Sequence, residues 1–320
     1  MKRIAAFFVL LALVLAVFSG CSGSSAGTVK VAALKGPTGM GMSKLMEDAG
    51  QGQSANSYEF TLAGSADVVS SGLINGDFDI AALPTNTIAN LYAKTGGEVL
   101  SLAVNTLGVL YILSDEPVSS LSDLSGRTIC AAGRGTVAQY VTDYILAENG
   151  LTDGENISME YASEHAEVVA KALSGGCGTV VLPEPFVTNL MLQSSDFQIV
   201  ADLTLEWSKL GGGELAMGGI AVRRGFAEEH PEAVSDFLTE YAASVAYCNE
   251  NPAEAAALIE KYDIMTAAAA EKAIPNCNMV CITGEEMKSC LTGFYTVLFG
   301  LYPDSIGGEL PDGGLYFTAG

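Results

Sequence analysis

Along most of this chain, short apolar runs rich in β-branched residues alternate with stretches whose apolar positions recur at helical period. Residues 28–34 (TVKVAAL) read as a strand and 36–41 as a loop. Met42, Leu45, Met46 and Ala49 then fall at i, i+3, i+4 and i+7, on one helix face. Strands are predicted at 58–63, 78–83, 99–104 and 108–113. Helices are predicted at 66–74 and 84–94, the second opened by Pro84, whose fixed φ suits a helix start. The same grammar restarts at Arg127. Strands at 128–132, 157–161, 178–182 and 197–201 alternate with helices at 136–149, 164–173 and 185–193. After a strand at 218–223 the pattern turns almost wholly helical, over 231–249, 252–262, 266–273 and 283–301.

Repeated β-α-β units imply an α/β fold with mainly parallel sheets and helices on both faces. Two consecutive blocks imply two lobes. They are expected over 28–112 and 113–217, with 218–320 returning to complete and cover the first. No Pro- or Ser-rich linker separates the blocks, so short hinge-like crossings are expected near 110–114 and 217–222.

The N-terminus bears on where such lobes would work. Lys2 and Arg3 precede an unbroken apolar run over 4–18, then Ser19, Gly20 and Cys21, then a Ser/Gly spacer at 22–27. A basic start, a short apolar stretch and small residues at a cleavage point describe a secretory signal peptide. The run is too short for a membrane span, which needs about 20 residues. Small residues directly before a cysteine resemble a bacterial lipoprotein cleavage site, although Phe18 stands where an aliphatic residue is usual. That resemblance implies removal of residues 1–20 and a lipid on the Cys21 sulfur, tethering the chain outside the cytoplasm.

Composition narrows the partners. Hydrophobic residues make up 49% of the chain, enough for sizeable cores, and the formal charge is -22. That charge opposes nucleic acid and anionic lipid surfaces, which require basic patches. Seven cysteines leave six once Cys21 is lipidated; export permits disulfides, but six thiols allow fifteen pairings and spacing does not choose among them. Cys277, Cys281 and Cys290 lack C-x-x-C spacing and neither His165 nor His230 lies close in sequence, so no metal is expected. Residues 133–138 (GRGTVA) match the dinucleotide fingerprint with alanine last, and Asp153 or Glu155 follows about twenty residues on. Export argues against a nicotinamide cofactor, and two histidines leave few members for a Ser-His-Asp site. Neither cofactor nor catalysis is expected.

Three further segments carry a family resemblance. Residues 121–136 (LSDLSGRTICAAGRGT), the turn 182–186 (LPEPF), and 225–234 (GFAEEHPEAV) with Phe237, Leu238 and 251–256 (NPAEAA) occur in a telling order. They resemble bacterial ABC-importer solute-binding proteins of the thiamine-pyrimidine, sulfonate, nitrate and taurine branch. The resemblance runs from about residue 29 to 262. It implies a periplasmic-binding-protein type II clamshell: two lobes joined by two crossings, shutting on a small organic nutrient. A monomer of that kind would deliver its solute to ABC permease subunits. Two alternatives share the fold. One is an extracytoplasmic enzyme of thiamine-related or lyase type, with Cys130 or Cys177 as nucleophile. The other is the binding component of a non-ABC transporter or sensor.

In such sheets the ligand is expected beyond the strands' carboxyl ends, where helix starts present free N–H groups and partial positive charge. Four turns meet that description. Gly36, Pro37, Thr38, Gly39 and Met40 offer close backbone approach, a hydroxyl and a flat apolar surface. Thr85 and Asn86 offer hydrogen bonds from the first lobe's other turn. Gly133, Arg134, Gly135 and Thr136 open a second-lobe helix, with Arg134 placed to clamp an oxoanion. Glu184 would favour a cationic or N–H-bearing group, and Trp207 would stack on a ligand near the second crossing.

Overall fold

The computed structural model describes residues 27–318. The expected signal peptide, Cys21 and most of the spacer lie outside them. The first block comprises β1 (Thr28–Leu34), the short turn α1 (Pro37–Met40), α2 (Ser43–Gly50), β2 (Ser57–Ala63), α3 (Ala66–Asn75), β3 (Ile80–Pro84), α4 (Thr85–Thr95) and β4 (Val99–Thr106). The second comprises β5 (Leu110–Ser114), β6 (Thr128–Ala132), α5 (Val137–Glu148), β7 (Ser158–Ala162), α6 (His165–Leu173), β8 (Thr179–Pro183), α7 (Phe186–Gln193), β9 (Gln198–Asp202) and α8 (Leu203–Lys209). Then come β10 (Gly218–Arg223), α9 (Arg224–Glu229), α10 (Pro231–Glu250), α11 (Pro252–Lys261), α12 (Ala267–Ala273), β11 (Met279–Ile282) and α13 (Gly284–Leu301).

Two sheets result, ordered β11-β4-β10-β3-β1-β2 and β7-β6-β8-β5-β9. Each contains the same triplet, β2-β1-β3 or β7-β6-β8, paired in parallel. Beside the third strand of each lies one that arrives from the other lobe, β10 or β5, and pairs antiparallel. Both sheets are therefore mixed, although most strands still run one way. The chain crosses between sheets at 107–109 and 210–217; the stretches expected to be hinges are largely the strands that follow.

The helical period of α2 holds over its first turns: Leu45 and Met46, with Met42 just before the helix, are buried against the first sheet, while Ala49 is only half-buried. With them pack Val31, Leu102 and Ile220 from the strands and Phe237, Tyr241 and Ile259 from α10 and α11. The C-terminal helices thus cover the first lobe. Helix α13 goes further, because Phe294 and Leu298 share a core with both Ile88 of the first lobe and Ile145 and Trp207 of the second. Fully burying each such side chain stabilises by roughly 1.5–3 kcal/mol. A disulfide joins Cys130 to Cys177 within the second lobe, while Cys248, Cys277, Cys281 and Cys290 are free.

Candidate functional site

In each triplet the central strand is flanked by the two that follow it in sequence, so consecutive helix starts diverge there and leave a crevice. The two crevices face each other across a cavity of about 250 Å³. From the first lobe it is lined by Gly36, Pro37 and Thr38 after β1, by Ser65, Ala66 and Asp67 at the start of α3, and by Pro84 after β3. From the second come Gly133, Arg134 and Thr136 after β6, Ser163, Glu164 and His165 at the start of α6, and Pro183 and Phe186 around β8.

Local chemistry explains these positions. Gly36 has φ 155 and ψ -158, a region that costs an L side chain strain. Thr38 Oγ1 donates to Leu34 O at 3.1 Å, which fixes the hydroxyl in the turn that lines the cavity. Thr136 Oγ1 donates to Gly133 O at 2.6 Å and tightens the second-lobe turn. Neither Ser65 nor Glu164 caps the helix it precedes through its side chain, so first-turn amides of α3 and α6 stay available to a ligand. Arg134 lies over the Tyr161 ring with its guanidinium 5.7 Å from the centroid. Lys35 and Arg134 bring positive charge to the cavity wall; Asp67 and Glu164 bring negative charge. His165 sits 5.3 Å from the Phe186 ring, and burial pushes its imidazole pKa down to about 4, so it is neutral at physiological pH.

Several residues expected at the ligand stand elsewhere. Gly39 serves packing: a Cβ there would come 2.7 Å from Leu34 O. Met40 is wholly buried among the first lobe's core residues, on the face of its turn away from the cavity. Thr85 is also wholly buried, donating to Ala216 O at 2.6 Å and accepting from the Tyr295 hydroxyl at 2.8 Å, so it ties α4 to the return crossing. Glu184 turns inward to cap α7, its carboxylate accepting from Thr188 N at 3.1 Å and Thr188 Oγ1 at 2.9 Å. Burial raises its pKa and those two bonds oppose the rise. Trp207 is core, with Tyr144 and Phe294 rings 5.9 and 5.6 Å away. Gly135 holds the edge of its turn, where its N–H donates to Gln139 Oε1 at 2.7 Å.

Asn86 performs a different task from the one expected. Its Oδ1 accepts from Val137 N at 2.8 Å and its Nδ2 donates to Gly135 O at 3.0 Å, both in the opposite lobe. Nδ2 also donates to Ser305 O at 3.2 Å. A first-lobe side chain therefore caps the second lobe's helix α5. Glu164 makes a matching contact in the other direction, its carboxylate lying directly over Gly64. The lobes are shut.

Sequence reasoning missed Ser65, Ala66, Asp67, Ser163, Glu164, His165 and Phe186. The signal was present, since each helix start follows a strand end in the central triplet. The nucleophiles of the enzyme alternative are removed, because Cys130 and Cys177 are consumed by their mutual disulfide. Cys277 is fully buried, with its thiol pKa pushed well up by burial, and among the described residues no cluster of three or more His, Cys, Asp or Glu is placed to hold a metal.

Two α/β lobes shut around a cavity walled by helix starts define a solute-binding protein. The family described as "ABC transporter, phosphonate, periplasmic substrate-binding protein" matches residues 46–273, and the chain belongs to it. No curated protein matches this sequence. Among solved structures, an ABC transporter protein from Parabacteroides distasonis is 25% identical with a TM-score of 0.74, covering 91% of this chain and 99% of that one. The alkanesulfonate-binding protein SsuA from Xanthomonas axonopodis pv. citri, bound to MOPS, is 15% identical with a TM-score of 0.70, over 89% and 95% of the two chains. The periplasmic nitrate-binding protein NrtA from Synechocystis is 14% identical with a TM-score of 0.64, over 87% and 84%. The last two likenesses concern the fold. The protein is thus an extracytoplasmic substrate-binding protein of an ABC transporter.

Proposed function

We propose that this protein captures a small organic molecule bearing a tetrahedral oxoanion, of phosphonate or sulfonate type, and delivers it to its permease without chemical change. The observation carrying this reading is the convergence of the α3 and α6 starts and Arg134 on one cavity. Amides at helix starts and a guanidinium both favour oxoanions. The phosphonate description of the family and the alkanesulfonate binding of one fold relative agree with it.

Capture works as a closure equilibrium: the solute touches both lobes only when they are shut, so it shifts the population toward the form the permease would receive. The protein acts as a monomer, tethered through lipid on Cys21. Two measurements test this. Chain lacking residues 1–21 should be stabilised in melting assays by alkylphosphonates or alkylsulfonates, by about 2.7 kcal/mol at a hundredfold excess over Kd. Arg134→Ala should remove most of that shift. If no oxoanion in the set moves the melting curve, the ligand assignment is wrong. Cys21→Ser should release the protein from the cell membrane; retention would refute the tether.

A further inference from the structure

The first crossing is gripped from both sides. Leu107 N donates to Asn278 O at 3.1 Å, and Asn278 Nδ2 donates to Gly108 O. Asn278 stands just before β11, whose Met279 pairs with Thr106 at the end of β4, so both bonds tie the crossing to the first lobe. One residue on, Val109 O accepts from Glu184 N at 2.8 Å and Leu110 pairs with Pro183, which tie the chain to the second lobe. The hand-over falls on Gly108. Its carbonyl is held by the first lobe, while a Cβ there would come 2.2 Å from Thr204 Oγ1 of α8 in the second.

The return crossing is held at its two ends. Gly212 lies against the Trp207 ring of the second lobe. Met217 N donates to Thr106 O at 3.0 Å and Met217 O accepts from Thr85 N at 3.2 Å, both in the first. Residues 213–216 span the gap between these anchors and follow a rotation that the first crossing directs. Asn278 itself has φ 42, in the left-handed region that asparagine enters more readily than most residues. It is exposed, so core packing does not account for its place.

Resting on the closure equilibrium above and not on the identity of the solute, we propose that Asn278 is the positioning residue of closure. By holding Leu107 and the Gly108 carbonyl it confines rotation to the link between Gly108 and Val109 and aims the second lobe at Asn86. Without that amide Gly108 samples many directions, few of which bring α5 onto Asn86. Ordering one backbone residue then joins the cost of closing, a loss of roughly tenfold in the closure constant.

Asn278→Gly tests it, because glycine keeps the left-handed backbone and removes only the side chain. Two readouts follow closure, one suited to a mainly open protein and one to a mainly shut one. A Gly64→Cys, Glu164→Cys pair forms a disulfide only across shut lobes, since a Cβ at position 64 would lie 3.7 Å from that of Glu164, a normal disulfide separation. Its equilibrium with glutathione counts the shut form. Hydrogen exchange at Val137 N–H, bonded to Asn86 Oδ1 across the lobes, counts the open form. Asn278→Gly should lower the effective concentration of the cysteine pair, or the protection of Val137, roughly tenfold. Asn278→Asp also loses the donor, without glycine's added unfolded-state entropy, and should repeat the loss. Amides of Val31 and Ile220 in the first-lobe core should keep their protection. An equal loss at Val31 and Ile220 would mean general destabilisation and overturn the proposal, as would wild-type values of both closure readouts. If Val137 exchanges in the wild type only by global unfolding, the lobes do not part, and the closure reading fails together with this one.

Discussion

Asn86 reports on closure without lining the cavity, which makes Asn86→Ala the most informative substitution. In the shut form it makes two bonds across the lobes, from Val137 N at 2.8 Å and to Gly135 O at 3.0 Å. A typical bond contributes about 1 kcal/mol net, because water replaces it when the lobes part. Losing both should weaken the shut form by about 2 kcal/mol, or about thirtyfold in the closure constant. The third bond, to Ser305 O, lies within the first lobe and adds a cost of about 1 kcal/mol to global stability. Apparent affinity is divided by the fraction of competent protein. A ligand-free population that is mainly open therefore loses the full factor in Kd, and one mainly shut loses less. Solution scattering should show an expanded ligand-free protein, and calorimetry a higher Kd with the saturated protein equally compact. Asn86→Asp keeps the acceptor for Val137 N but loses the donor, so it should fall between. An Asn86→Ala protein with wild-type compactness and wild-type Kd would refute this account.

Three other outcomes follow. Gly36→Ala places a side chain at φ 155 and should cost about 1–3 kcal/mol, seen as weaker ligand binding; unchanged affinity would show that the turn relaxes. His165 has a folded pKa of about 4, below the ordinary 6.5, so the unfolded chain takes the proton first. Its contribution is intact above about pH 6.5 and is lost as pH falls toward 4; relative to His165→Gln, the wild type should lose up to about 3 kcal/mol across that window. Parallel urea-unfolding curves for the two proteins would contradict it. Reduction of the Cys130–Cys177 disulfide, which spans 47 residues, should lower unfolding free energy by about 4 kcal/mol from loop entropy, with oxoanion binding retained below the melting temperature.

Much of the architecture is legible in the amino-acid sequence. The strands 28–34, 128–132 and 218–223 fall where their apolar runs end, and α2 buries most of the face its period marks. These features are local: alternation, helical period and proline placement act within a few residues of chain. Strand β11 was not legible, because Met279–Ile282 becomes a strand only by pairing with β4. The turn after β1 read as a loop, yet Pro37–Met40 closes one helical turn against the core.

The site divides along the same line. Gly36, Thr38, Arg134 and Thr136 line the cavity, and their place was legible because a helix start after a strand advertises itself in sequence. Met40, Thr85, Glu184 and Trp207 carry suitable chemistry but point into packing, which sequence spacing does not record. Sequence by itself determined which segments are strands and helices, since that choice rests on short-range patterning. Only the tertiary structure decided which helix starts share a cavity and that Asn86 bridges the lobes, because a side chain's direction is set by partners tens or hundreds of residues away.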